Sequence, residues 1–220
     1  MILDIDETLL NPFPRWVTRV NVALGLRYSV EEVIHAGGWD RLLDGSEEWA
    51  QYSALADALR ASEAFNSGLP TMEAALEGVG CLLDLADCRI ACYLTTRPQS
   101  LAKVSTTELR RVGFPEAPVI TRPNSRSRAD TTEWKYGIIK SIAFDGGGPT
   151  LVIDDSLDLS CELLARRPRV GRLIVGLHLG PLTVADAKRL GIRSAPDSDF
   201  FVGSWAPLAE SLSRHLGVLS

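Results

Sequence analysis

The sequence predicts an α/β protein with a mostly parallel sheet and a block of helices inserted after its first strand. Three observations carry that prediction. From Leu69 onward, apolar stretches of four to six residues alternate with helical stretches of about ten, the pattern of βαβ units. Between about Trp16 and Ala64 only helical spacing is found. The acidic motifs, finally, fall where strands are expected to end.

Taken in order, MILDIDETLL reads as a short buried strand running into a loop. RWVTRVNVALGL and SEEWAQYSALADALRA carry apolar residues at helical spacing, with Ser46 as an expected N-cap. Thr71–Ala86 reads as a helix capped by Thr71, Cys88–Leu94 as a strand, and Gln99–Val112 as a helix stopped by Gly113. A short strand, Pro118–Thr121, and a polar loop precede a helix from about Thr132 to Phe144. Thr150–Ile153 and Arg172–Gly176 read as strands, and Leu157–Ala165 and Val184–Leu190 as helices. Phe200–Val202 is a last short strand before the helix Trp205–Leu216.

Composition excludes several classes. With 220 residues, 45% hydrophobic and 23% charged, the chain is neither disordered nor fibrous. A net charge of −5 is poor footing for a nucleic-acid binder, so no nucleic-acid partner is expected. No apolar stretch approaches the roughly 20 residues of a membrane span, and no signal peptide opens the chain, so the expectation is a cytoplasmic protein without a membrane partner. Cys81, Cys88, Cys92 and Cys161 form no CxxC pair and read as buried thiols.

Ligands of parallel α/β sheets bind beyond the carboxyl ends of the strands. There the first strand offers Asp4-Ile5-Asp6-Glu7-Thr8, the second Thr95-Thr96-Arg97, and the strand TLVI Asp154-Asp155-Ser156, with Asp158 just beyond. Carboxylates converging on one crevice repel unless a cation neutralises them. Hard oxygen ligands suit Mg²⁺, which keeps several waters and is completed by substrate phosphate.

These residues carry a resemblance. Asp4-Ile5-Asp6-Glu7-Thr8 fits the DxDxT signature of the haloacid dehalogenase (HAD) superfamily. Tyr93-Leu94-Thr95-Thr96-Arg97 resembles its second motif, Lys135 in EWKYGIIK its helix-borne lysine, and Leu151-Val152-Ile153-Asp154-Asp155 its apolar strand ending in an acidic pair. The resemblance implies a three-layer α/β sandwich with a Rossmann-like sheet, formed by residues 1–12 and 67–220. It also implies a small helical cap, residues 13–66, inserted between the first and second motifs. Asp4 would be the nucleophile and Asp6 the acid and base. Thr95 would hold a phosphoryl oxygen and Lys135 would balance charge, with Thr8, Thr96 and Arg97 as substrate contacts. Mg²⁺ would be held by Asp4, the Asp6 carbonyl, Asp154 and Asp155.

The implied activity is a Mg²⁺-dependent phosphatase acting on a small phosphorylated metabolite, a nucleotide monophosphate among the candidates. Asp6 favours phosphoryl transfer over dehalogenation, because an alkoxide leaving group benefits from a proton and a halide does not. The alternatives are a phosphatase of a protein or nucleic-acid end and a non-catalytic domain binding Mg²⁺ or a phospholigand. Thr96 competes with Thr95 for the motif position, and Lys140 with Lys135. Asp158 reads either as a further metal contact or as the N-terminal charge of a helix. His35, His178 and His215 read as surface or structural, the arginines of residues 122–128 as a solvated loop, and Trp16, Trp39 and Trp49 as helical core or pocket wall. Only Met1-Ile2-Leu3 precede Asp4, fewer apolar residues than the superfamily usually has, so the first strand is expected to be very short unless residues are missing before Met1.

Overall fold

The structure is a computed structural model and describes residues 1–85, 88–124, 130–145, 148–166, 173–180 and 199–217. Its centre is a sheet of six parallel strands: β1 (Ile2–Leu3), β2 (Cys92–Pro98), β3 (Val119–Arg122), β4 (Thr150–Asp154), β5 (Leu173–His178) and β6 (Phe200–Gly203). Their spatial order is β3-β2-β1-β4-β5-β6, a Rossmann-like arrangement. The chain builds outward from β1 through β2 and β3, then returns to the other side of β1 for β4. That reversal opens a crevice at the carboxyl ends of β1 and β4, where a doubly wound sheet binds its ligands.

Strand side chains alternate between the faces, and the alternation sorts the core into two layers. Leu3, Tyr93, Leu151, Ile153 and Ile174 pack on one face, with α6 (Ala75–Leu83), α7 (Ala102–Val112) and α10 (Trp205–Gly217). Ile2, Cys92, Leu94, Val152, Val175 and Leu177 pack on the other, with α8 (Thr131–Asp145) and α9 (Leu157–Ala165). The result is three layers, helices on sheet on helices. Gly78 is where α6 and α10 meet most closely. A Cβ there would stand 2.6 Å from the buried indole of Trp205, so only glycine fits without movement.

Between β1 and α6 the chain forms α1 (Phe13–Leu24), α2 (Val30–Ala36), α3 (Trp39–Leu42), α4 (Trp49–Ala61) and α5 (Glu63–Asn66). These helices share a small core of their own around Val17, Val20, Val33, Trp39, Leu43 and Tyr52. Ser29 and Glu32 form a reciprocal capping box at the start of α2. The two chain crossings into the sheet run side by side: Leu10 bridges Thr71, Asn11 N–H donates to the Pro70 carbonyl, and Met72 N–H to that of Leu9. Arg15 closes the pinch, donating to the carbonyls of Phe65 (2.7 Å), Ser67 (2.5 Å) and Gly68 (3.0 Å).

Several local expectations are corrected. The second strand begins at Cys92 rather than Cys88 and continues through Arg97, because its ladders start at the pairs Ile2–Cys92 and Val119–Tyr93. Ser46 is not the N-cap of α4; Glu48 stands there without a side-chain cap. Thr71 does not cap α6 either, since it belongs to the bridge with Leu10, and α6 starts after Ala74. Of the four cysteines, all unpaired, only Cys92 is buried; Cys81 and Cys161 are exposed on helices. The expected helix Val184–Leu190 lies outside the described residues, as do Arg126 and Arg128. Among the described residues, no helix is long and apolar enough to cross a membrane.

Candidate active site

A cavity of about 410 Å³ opens at the carboxyl ends of β1 and β4 and is bordered by both the sheet and the helical segment. Among the described residues, six carboxylates line it, from Asp4, Asp6, Glu7, Asp40, Asp154 and Asp155, against three cations, Arg60, Arg97 and Lys135.

Asp4 directly follows β1, with its N–H bonded to the Ile153 carbonyl of β4, so the ladder fixes its height above the sheet. Its carboxylate accepts from Lys135 Nζ at 2.6 Å. The same ammonium donates to Asp154 Oδ2 at 2.7 Å, and all three side chains are buried. Lys135 arrives from the first turns of α8, whereas Lys140 is exposed further along the same helix. The other Asp154 oxygen accepts from Ser156 N–H at 2.9 Å. One oxygen each from Asp4, Asp154 and Asp155 lie within 4.8 Å of one another. Three hard oxygen donors at that spacing fit a small divalent cation such as Mg²⁺.

Burial sets the electrostatics. It raises the Asp4 carboxyl to about 7, with Asp154 and Asp6 adding to the rise and Lys135 opposing it. The Asp155 carboxyl is pushed well up by burial and by Asp4, Glu7 and Asp154. For Lys135 burial acts downward, but Asp154 and Asp4 outweigh it and hold the ammonium charged. A cation among these oxygens relieves the same repulsion.

Asp6, two residues after Asp4, is gripped by Arg97 through two parallel bonds, Nε to Oδ2 at 2.8 Å and Nη2 to Oδ1 at 2.6 Å. A bidentate pair of this kind fixes direction as well as distance. Arg97 is itself buried and also donates to Ser105 Oγ at 3.2 Å. Thr95 is fully buried, and its hydroxyl oxygen accepts from Arg97 N–H at 3.2 Å; Thr96 is exposed and borders the cavity. Thr8 is fully buried, is not among the cavity-lining residues, and gives its carbonyl to Trp205 Nε1 at 2.5 Å. Asp158 is an exposed residue in the first turn of α9, outside the carboxylate cluster.

Two features of the site were not read from the sequence, the turn at Glu7 and the contact of His178, and one of the two readings of the tryptophans is met. Glu7 adopts φ +57°, a left-handed backbone uncommon for a residue with a side chain. Its carboxyl is raised to about 7, first by burial, then by Asp6, with Arg60 pulling against it and Asp40 adding to the rise. His178, at the end of β5, is buried and structural, one of the two readings its sequence allowed, but it meets the Glu7 turn rather than standing apart from the acidic motifs. Its Nδ1 lies 2.9 Å from the Glu7 carbonyl and 3.0 Å from Gly180 N–H. One tautomer donates to Glu7 and the other accepts from Gly180. Trp16 and Trp39 line the cavity while Trp49 does not, and Trp39 Nε1 is buried without an acceptor among the described residues.

Fold and site together define an α/β protein with an acidic cleft at the switch point of its sheet. The chain matches no protein-family model and no curated protein.

Proposed function

We propose that the protein is a HAD-type phosphatase that hydrolyses a small phosphomonoester through an aspartyl-phosphate, with the helical segment 13–66 as its cap. One observation supports this most: Lys135 bridges Asp4 and Asp154 beside Asp155, while Asp6 borders the same cavity in the grip of Arg97. Nucleophile, proton carrier and charge balance thus share one wall.

In the first half of the reaction an Asp4 oxygen forms a bond to phosphorus as the bond to the alcohol oxygen breaks. Asp6 gives that oxygen a proton. In the second half, water attacks phosphorus, its proton returns to Asp6, and the Asp4–phosphorus bond breaks to release phosphate. Lys135 stabilises the nucleophile and the negative oxygens of the transferring group. Arg97 keeps the Asp6 carboxyl in reach of the leaving oxygen. Thr96, which borders the cavity, is the hydroxyl placed to meet a remaining phosphoryl oxygen, whereas Thr95 is fully buried and is not among the cavity-lining residues. Asp4, Asp154, Asp155 and the Asp6 carbonyl would hold Mg²⁺, which would supply charge neutralisation of the phosphoryl group.

The test is phosphate release from a panel of phosphorylated metabolites, with Mg²⁺ and with chelator. Turnover is expected with Mg²⁺ only, and Asp4→Asn is expected to lose it on every substrate. Full turnover by Asp4→Asn, or in excess chelator, overturns the reading.

A further inference from the structure

Helix α7 packs on the sheet, yet of its buried residues, Ser105, Glu108 and Leu109, two are polar. Ser105 and Glu108 are three positions apart and share one face of the helix. Neither takes part in the bond-making proposed above. Glu108 is only 5% exposed, and a carboxylate so buried persists only where partners hold it.

The polar contacts of this face run in two directions. Glu108 Oε2 accepts from Gly68 N–H at 2.8 Å and from Arg111 Nε and Nη2 at 3.0 and 2.8 Å. Arg111 Nη2 also donates to the Leu69 carbonyl at 2.6 Å. Gly68 and Leu69 lie where the chain returns from the helical segment to the sheet, and Arg15 of α1 holds the Gly68 carbonyl at 3.0 Å. In the other direction, Ser105 Oγ accepts from Arg97 Nη1 at 3.2 Å. The guanidinium is planar, so fixing Nη1 also directs Nε and Nη2, the pair that grips Asp6. Burial disfavours the charge on Arg97, but Asp6, Asp4 and Glu108 together outweigh it.

We propose that Ser105 and Glu108 are positioning residues: through Arg97 they keep Asp6 aimed at the leaving oxygen, and through Gly68 they couple that aim to the seating of the helical segment. The aim at the leaving oxygen rests on the phosphatase reading above, whereas the coupling stands on the hydrogen bonds alone. A displacement of the return crossing reaches Arg97 through less than one turn of a packed helix, a rigid link between the two.

Two measurements test this. Exchange of Gly68 N–H and Arg97 Nε–H is followed by NMR in the wild type, Glu108→Ala and Glu108→Gln. Glu108→Ala should speed both by about tenfold or more, although Glu108 bonds only the first, and leave the sheet amides protected. Glu108→Gln, which keeps an acceptor, should show the same pattern more weakly and decides the matter if the alanine variant does not fold. Acceleration at Gly68 alone, or at neither, overturns the coupling. The second measurement is kcat and KM with Mg²⁺ for an alkyl and an aryl phosphate. Ser105→Ala and Glu108→Gln should lower kcat on the alkyl ester by about tenfold and on the aryl ester by less, with KM little changed. In an Asp6→Asn background the same substitutions should cost nothing further. Equal losses on both esters, or losses that persist in that background, overturn the positioning role and leave the phosphatase reading intact. If the wild type hydrolyses neither ester, the phosphatase reading fails and the exchange rates alone decide the coupling.

Discussion

The sheet body and the helical segment border the same cavity but are held together by different means. The body has two buried clusters, of nineteen and thirteen apolar residues among those described, and the segment has one of eight. In the body the polar cavity residues are pinned in pairs: Asp4 and Asp154 by Lys135, and Asp6 by Arg97. Those pairs stand on strand ends whose height is fixed by parallel register. In the segment, wall residues are placed mainly by aromatic packing, as Trp39 is between Tyr28 and the wall residue Tyr52. A hydrogen-bonded ladder tolerates little displacement, whereas a packed wall can change side chains of similar volume at modest cost. Bond-making groups belong on the first and shape-selecting groups on the second.

Four substitutions sharpen or break that contrast. The largest effect is expected from Asp6→Asn, which keeps the bonds to Arg97 in part but removes the acid. Turnover of an alkyl phosphate should fall by roughly 10² to 10⁴, and that of an aryl phosphate by less, because its leaving group needs little protonation. Equal losses on both would remove the proton-carrying role and leave Asp6 a positioning residue.

Next comes His178, which ties β5 to the Glu7 turn. Burial lowers its imidazole to about 4 from an ordinary value of 6.5. The unfolded chain therefore takes a proton between these values that the folded chain refuses. Stability should be full above pH 6.5 and decline as pH falls toward 4, by about 3 kcal/mol from this group. Denaturant midpoints of wild type and His178→Gln across that range check it; parallel curves would refute the assignment.

Gly78→Ala is expected to cost about 1–3 kcal/mol, since the added carbon must displace Trp205. Chemical denaturation measures it, and a neutral result would mean that α6 and α10 separate easily. Ser29→Ala, in the helical segment, should cost about 1 kcal/mol by removing one half of a capping box. Hydrogen exchange should show that loss in residues 30–36 and leave the sheet amides protected. Loosening that spread into the sheet would erase the distinction between the two regions.

Much of the body was legible from residue type alone. Alternating strand and helix lengths gave the parallel sheet, and acids placed after apolar runs located Asp4, Asp6, Asp154 and Asp155 around one cavity. The errors have a common physical origin in buried polarity. Thr95 and Arg97 are strand residues with 0% and 3% exposure, yet they read as a strand's polar terminus, because a buried guanidinium is tolerated only through partners distant in sequence. The place of His178 beside the Glu7 turn was hidden for the same reason, lying 171 positions from the carbonyl it meets. The left-handed turn at Glu7 has no signal in residue type, since glycine or asparagine is the residue that would announce it. The exposure of Asp158 and Lys140, which separates them from the buried cluster, likewise has no signal in residue type.

The pinch formed by Arg15 also bears on how this molecule can be remodelled. Residues 9–11 and 70–72 already lie side by side as a two-stranded neck, so the ends of everything between them meet. Loop-closure entropy rises by only about 0.6 kcal/mol for each doubling of loop length. Lengthening, trimming or exchanging the intervening helices therefore leaves the topology of the sheet nearly indifferent, provided the neck is kept. With Arg15 and the Phe65, Ser67 and Gly68 carbonyls it spans retained, residues 16–64 form an exchangeable cassette, so that the cavity wall they carry can be rewritten while the strand ends below it stay in register.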